Sequence, residues 1–110
     1  MELDFDEPMA TRVLRAAAAA VVTVELGPPQ PFEPAAPADQ GWYCPFRITG
    51  TDDQPWISFG GGIDGIHAIT IALARIGDYL DSRAALGLTF DGGSDLGFLS
   101  ASRLPLSSSE

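Results

Sequence analysis

Cys44 and His67 are the only thiol and the only imidazole in this chain of 110 residues, so they are the first candidates for chemistry. A cysteine nucleophile needs a base such as histidine within hydrogen-bond reach, and nothing in the sequence places these two side chains together. Cys44 shares one face of a predicted strand with Trp42 and Phe46, where burial raises a thiol pKa. We therefore predict a buried structural cysteine, no catalytic residues and no enzyme activity.

His67 follows Asp64 by three positions, which places both in the first turn of a predicted helix. An N-terminal Asp accepts hydrogen bonds from free backbone N–H groups, and a side chain three residues later can complete a capping box. Capping is one interpretation of the pair. The alternative is a ligand or metal site, which would need a further ligand such as Asp52 or Asp53. We predict no metal site.

Three glycines at positions 60–62 precede this helix. Glycine-rich turns before helices can hold phosphate, but the chain has no lysine for a Walker-type loop, and Asp64 would repel an anion. A close crossing of strand and helix explains the same glycines without a ligand. We predict no cofactor, and the alternative ligand site consists of Gly61, Gly62, Asp64 and His67.

The helix itself is predicted from apolar residues spaced three and four positions apart. This spacing draws one stripe along an α-helix from about Asp64 to Asp81. The stripe consists of Ile66, Ile69, Leu73, Ile76 and Leu80. We expect it to face the core.

Alternating apolar residues predict strands at 21–26 and 42–49, and a turn at 50–53 leads to a further strand at 54–59. The glycines at 60–62 are expected to break that last strand. Pro45 cannot donate to a strand ladder, so we expect the 42–49 strand to lie at a sheet edge or to carry a bulge. The strands at 42–49 and 54–59 thus form a predicted hairpin.

The segment from Met9 to Leu26 allows two interpretations. The alanines at 16–20 favour a helix, whereas residues 12–15 and 21–26 can be two strands joined across them. Later in the chain, residues 87–90 can supply a short strand and 96–99 can fold back onto the core. Residues 27–40 contain five prolines and are expected to form a surface loop.

Tyr43 and Arg47 alternate with the core residues of the 42–49 strand, so they are expected on its outer face. Aromatic residues and arginine are enriched at protein interfaces. Together with Trp56 they form a candidate interface. An exposed edge strand is a second place where a partner strand or a second copy can bind.

The formal net charge is −9, from 15 acidic residues against 6 arginines. This charge disfavours binding to nucleic acid and permits a basic partner. The longest apolar run, at 16–22, is too short to cross a membrane, and the acidic N-terminus does not resemble a secretory signal. One cysteine gives no intrachain disulfide, which agrees with an expected cytoplasmic location.

Three motifs together resemble a known family: L-G-x-P at 26–29, W-x-C-P-F-x-I-x-G at 42–50 and G-x-D-G-I-x-A-I-x-x-A-L-x-x-I at 62–76. They are similar to a family of small bacterial proteins known as a domain of unknown function. The resemblance covers about residues 10–80 and implies a strand-rich N-terminal part, a hairpin and one helix, so it favours strands at 12–26. It implies no activity. The family pattern usually has Gln at the position of His67.

These observations predict an α+β fold, with about four antiparallel strands packed on one amphipathic helix. We expect a disordered acidic lead at 1–8, a single domain at 9–100 and a flexible tail at 101–110. The function expected first is a non-enzymatic protein-interaction module that binds a partner, masks a basic protein or forms a homodimer. The alternative is a ligand-binding domain or enzyme at the glycine-rich start of the helix.

Overall fold

The computed structural model describes residues 7–32 and 41–98. The predicted tail at 101–110, most of the lead at 1–8 and much of the proline-rich loop lie outside these residues. The described part has five strands and one α-helix, which confirms the predicted α+β fold. The strands are β1 (Ala10–Arg15), β2 (Val21–Leu26), β3 (Gln30–Pro31), β4 (Trp42–Thr49) and β5 (Trp56–Gly62), and the helix is α1 (Gly65–Asp81).

The strands form one antiparallel sheet with β4 at its centre. On one side β4 pairs with β5 from Trp42 to Ile48. On its other side it pairs first with β3 and then with β2, and β1 pairs with β2. The N-terminal ambiguity is therefore resolved in favour of two strands. The loop between β1 and β2 is closed by Ala19, whose positive φ of 67° supplies the turn that no glycine provides.

The expectation that Pro45 marks an edge strand or a bulge was wrong, because β4 is the central strand. The Pro45 carbonyl accepts a hydrogen bond from the Gly27 N–H at 2.8 Å. The backbone nitrogen and oxygen of Pro45 therefore point towards Gly27, which lies between the end of β2 and the start of β3. Because neither strand pairs with β4 at this residue, the missing N–H of Pro45 removes no hydrogen bond to β2 or β3, and an interior proline is tolerated.

The expectation that glycines break the last strand was also wrong. Gly60, Gly61 and Gly62 belong to β5 and pair with residues of β4. A methyl group on Gly62 would lie 2.5 Å from the backbone nitrogen of Ala68, so the strand and the helix touch backbone to backbone. Glycine is needed here for this close approach.

Because of this close approach, the buried face of α1 differs from the stripe predicted from the apolar spacing. Ala68 and Ala72 are fully buried against the sheet, together with Ile76. Ile66, predicted to begin the buried stripe, is 78% exposed instead. The reason is that the helix turns its smallest side chains, rather than its first isoleucine, towards the glycines.

The core lies between the sheet, α1 and the residues that follow the helix. Its largest fully buried side chains are Leu14, Val22, Cys44, Phe46, Ile48, Ile76 and Leu80. Leu96 and Phe98 pack against this cluster, which confirms that the chain folds back there, while Leu99 lies outside the described residues. The short strand predicted at 87–90 is an isolated bridge between Arg15 and Thr89.

Candidate functional site

The glycine-rich start of the helix is the first candidate site, and its geometry serves the fold. Gly60 and Gly62 face α1 and leave no space for a side chain. Gly61 points to the opposite face of the sheet, where the nearest atoms to an added methyl group belong to Phe32 and Phe59, at 3.8 and 3.9 Å. The glycines therefore do not surround one cavity.

Asp64 and His67 contact each other as a helix cap. The Asp64 Oδ1 accepts from the His67 backbone N–H at 2.8 Å, which makes Asp64 the N-cap of α1. The Nδ1 atom of His67 accepts from the Ile63 N–H at 3.0 Å. These two bonds resemble a capping box with an imidazole in place of the usual Glu or Gln, except that the donor to the imidazole is the residue before the N-cap. Both side chains thus help to start the helix.

Cys44 is fully buried on the central strand. Its Sγ donates to the Gly27 carbonyl at 3.3 Å. Burial raises the pKa of the Cys44 thiol to about 11, so the nucleophilic thiolate is disfavoured near neutral pH. His67 lies at the start of α1, where its Nδ1 atom accepts from the Ile63 N–H. The hydrogen bond of the Cys44 thiol is therefore made to Gly27 and not to His67.

No group of three or more metal-ligating side chains occurs within residues 7–32 and 41–98. Asp52, proposed above as a possible further ligand, lies instead against Arg83, whose NH2 atom is 2.9 Å from Oδ2. Tyr79 also donates to this carboxylate, at 3.1 Å. The Arg83 and Tyr79 hydrogen bonds lower the pKa of Asp52.

The face of the sheet opposite α1 is the second candidate site. We call it the open face, because α1 and the described residues after it, up to Phe98, pack against the other face. By strand alternation and register, the open face consists of Thr11, Val13, Arg15, Val21, Thr23, Glu25, Tyr43, Pro45, Arg47, Thr49, Ile57, Phe59 and Gly61. Three of its aliphatic side chains are strongly exposed, with Val13 at 49%, Val21 at 44% and Ile57 at 39%.

Three aromatic rings stand together at one end of the open face. Tyr43 and Phe59 have centroids 5.9 Å apart in an edge-to-face arrangement. Phe32, just after β3, lies 5.3 Å from Tyr43 and 5.7 Å from Phe59. Gly61 lies beneath them, so the rings extend over the sheet instead of into the core.

An ion pair lies at the centre of the open face. The Nε atom of Arg47 is 2.7 Å from Oε1 of Glu25, and both side chains are partly exposed. This hydrogen bond raises the pKa of Arg47. We call the row of residues that crosses β1, β2, β4 and β5 through this ion pair the central row; in register it consists of Thr11, Glu25, Arg47 and Ile57.

Trp56 does not lie on the open face. It pairs with the buried Ile48, so its side chain points to the helix side of the sheet. There it stacks on Tyr79 with centroids 4.2 Å apart and meets Phe46 edge to face at 5.1 Å. The predicted interface residues therefore lie on two faces of the sheet. Tyr43 and Arg47 lie on the open face, whereas Trp56 lies on the face that packs against α1.

The exposed aliphatic residues of the open face were missed by the sequence reasoning. The signal was present, because Val13, Val21 and Ile57 alternate with less exposed neighbours just as Tyr43 does. Alternation alone tells that two sets of residues face opposite ways, but not which set a helix will cover. That assignment required the pairing of β1, β2, β4 and β5.

The two longer outer strands, β1 and β5, are partly covered along their edges. At β5, the Arg75 guanidinium donates to the Phe59 carbonyl and to Ser58 Oγ. At β1, Arg15 and Thr89 exchange two backbone hydrogen bonds of 3.0 and 2.8 Å. Covered edges are poor templates for an added strand.

A cavity of about 310 Å³ lies on the helix side, between β1, α1 and the chain around Phe98. Its walls are mainly apolar and include Leu26, Leu73 and Ile76. Arg12 crosses it, with its NH1 atom donating to the Leu96 carbonyl at 3.0 Å. This contact attaches the last described residues to β1.

None of the helices in the described ranges is long and apolar enough to span a membrane. Comparisons with curated proteins and with solved structures found no match. A comparison with protein families matches residues 10–100 to a domain of unknown function, DUF6968. The match extends beyond the motifs of the sequence and covers every described strand and the helix. The chain therefore belongs to the DUF6968 family of domains of unknown function.

Proposed function

We propose that this protein is a non-enzymatic interaction module that binds another protein surface through the open face of its sheet. The observation that carries the proposal is the exposure of Val13, Val21 and Ile57 on the same face of the sheet that carries the aromatic rings of Tyr43 and Phe59. Exposed apolar side chains gathered on one face are costly to leave in water and often mark an interaction site. A sheet face can be covered by a flat partner at normal packing distance.

The face is a better docking surface than either edge. At the edge of β5 the Phe59 carbonyl already accepts a hydrogen bond from Arg75. At the edge of β1 the backbone of Arg15 is already hydrogen-bonded to Thr89. A partner strand would have to displace these contacts. Among residues 7–32 and 41–98, no such contact has to be displaced to cover the open face.

The chemistry of the chain supports binding over catalysis. Cys44 is buried and its thiol pKa is raised to about 11, while Asp64 and His67 hold the start of α1. A ligand at the glycine-rich start of the helix would have to break that cap. This is why we place the function on the open face and not on the alternative site around Asp64 and His67.

The acidic surface does not coincide with this face. Exposed carboxylates lie on α1 at Asp64, Asp78 and Asp81, whereas the open face has Glu25 already paired with Arg47. A basic protein would be attracted to the acidic helix. The open face is instead suited to a partner surface that is apolar and close to neutral.

The test is a capture experiment with tagged protein in lysate of its source organism. Ile57→Asp places a charge on the open face, and Ile66→Asp places the same charge on an exposed isoleucine of α1. We expect a stoichiometric partner that is lost with Ile57→Asp and retained with Ile66→Asp, provided both variants keep the wild-type melting temperature. A partner that is lost with Ile66→Asp alone, or a protein that captures nothing and stays monomeric even at high protein concentration, would refute the proposal.

A further inference from the structure

We propose that the surface covering the open face is the open face of a second copy of this chain, which makes the protein a weak two-fold symmetric dimer. This inference rests on the proposed function, because it names the partner of the same surface.

Charge repulsion restricts how two copies can approach. Each copy carries a net charge of −9, so surfaces rich in carboxylates cannot be brought together. Among the described residues, the charged side chains of the open face are Arg15, Glu25 and Arg47, two positive and one negative. The open face is therefore the surface on which two acidic copies can meet with least repulsion.

The central row makes the face complementary to itself. Its two inner residues, Glu25 and Arg47, are neighbours of opposite charge on adjacent strands. A two-fold axis parallel to the strands and between these residues places each Glu25 opposite the second copy's Arg47. The same axis places Thr11 opposite the second copy's Ile57. Such isologous pairing is the usual form of a homodimer interface.

The area of the face limits the strength of this dimer. Four strands about 4.8 Å apart, each contributing about 20 Å of length, present roughly 400 Å² per copy in projection. A standard stable interface buries about 800 Å² per partner. We therefore expect a dimer with a dissociation constant in the micromolar range or weaker, which forms at high protein concentration.

The affinity of this dimer is expected to rise with the salt concentration. The repulsion between two copies of charge −9 is screened as ionic strength rises. We expect the dimer to tighten by roughly tenfold between about 0.05 M and about 0.5 M salt. Attraction between the acidic chain and a basic partner would have the opposite dependence.

The first test is sedimentation equilibrium of the full chain at protein concentrations from about 10 to about 500 µM, at both ionic strengths. We expect a monomer–dimer equilibrium that tightens with salt, is lost with Ile57→Asp and persists with Ile66→Asp. A strict monomer in every condition would overturn the inference. If that monomer still captures another protein through the open face, the proposed function stands and the second-copy inference falls.

The second test exchanges the charges of the central row. Arg47→Glu leaves two acidic residues in the row, and Glu25→Arg leaves two basic ones, so each variant alone is expected to be monomeric. Mixed together, the two variants should form a heterodimer, and the double variant that carries both changes should dimerise like the wild type. Melting temperatures identify any variant that fails to fold. Homodimers of both single variants, or a mixture without heterodimer while the wild type dimerises, would overturn the proposed axis.

Discussion

A methyl group on Gly60 would lie 2.2 Å from the backbone nitrogen of Ala72 and 2.6 Å from its Cα. The strand and the helix are therefore in direct backbone contact at this point. The second contact of the same kind, between Gly62 and Ala68, lies two residues along β5 and one helical turn back along α1. Together these contacts fix both the height and the rotation of the helix on the sheet.

Gly60→Ala is expected to destabilise the protein by about 1–3 kcal/mol or more, since the new methyl group meets backbone atoms that cannot turn aside. Urea unfolding measures the change. Gly61→Ala is the matched control, because its methyl group would have nothing closer than 3.8 Å and should leave the stability almost unchanged or slightly increased. Equal losses from both substitutions would contradict the backbone contact.

Asp64→Ala is expected to reduce the free energy of unfolding by about 1 kcal/mol, because the His67 N–H loses its capping acceptor. His67→Gln should be nearly neutral, since glutamine at this position can accept the same reciprocal hydrogen bond from Ile63. His67→Ala removes that acceptor and should cost more than His67→Gln. Thermal unfolding of the three variants gives the order, and a glutamine variant as unstable as the alanine variant would argue against the cap.

The features that the sequence predicted well are those determined by near neighbours. The helix from Gly65 to Asp81 with its Asp64 cap follows from the apolar spacing and one carboxylate. The strands β2 and β4 follow from their alternation of apolar and polar residues. Each depends on a few consecutive residues, so no knowledge of the partner element is needed.

The features that were predicted wrongly depend on which strand or helix packs or pairs against the residue. Ile66 fits the helical stripe, but close contact with the glycines rotates it into solvent. Pro45 is tolerated in a central strand because its donor-free side faces the interval between β2 and β3. Trp56 leaves the predicted interface because it pairs with Ile48 instead of with a residue of the open face. These outcomes follow from strand register, which local patterns do not specify.

Cys44 is expected to make the protein less stable at alkaline pH. Its pKa is raised from 9.0 to about 11 in the folded state, so above pH 9 the unfolded chain releases a proton that the folded chain retains. The resulting stability loss grows between pH 9 and pH 11 and reaches about 2–3 kcal/mol. Urea unfolding of wild type and Cys44→Ala across this range isolates the effect, because the alanine variant should lack this part of the slope. Parallel pH profiles would contradict it.

Asp52 is expected to stabilise the fold near neutral pH and to lose this contribution in acid. Hydrogen bonds from Arg83 and then Tyr79 lower its pKa below the ordinary value of 3.8, so its contribution to stability is complete above that value. The contribution is lost as the pH falls through the lowered pKa. Asp52→Asn should therefore be less stable than wild type near neutral pH and converge with it in acid. Asp53→Asn, a change at the exposed neighbouring residue, is the control and should not show this convergence.

Arg12 is expected to hold the last described residues against β1. Its guanidinium lies over the rings of Phe90 and Phe98, with centroid distances of 4.4 and 4.9 Å, and its NH1 atom donates to the Leu96 carbonyl. A lysine keeps the charge but cannot stack as a plane between two rings while donating to a carbonyl. Arg12→Lys should therefore increase amide hydrogen exchange around residues 95–98 while α1 stays protected.

Arg15→Lys is the matched control for this contact, because Arg15 is on the same strand but points to the open face. It should leave exchange around residues 95–98 unchanged. If both variants increase exchange equally, the segment is held by general strand stability and not by the Arg12 contact. If neither does, the burial of Leu96 and Phe98 against the core is sufficient by itself to hold the segment, and the guanidinium is only an accessory contact.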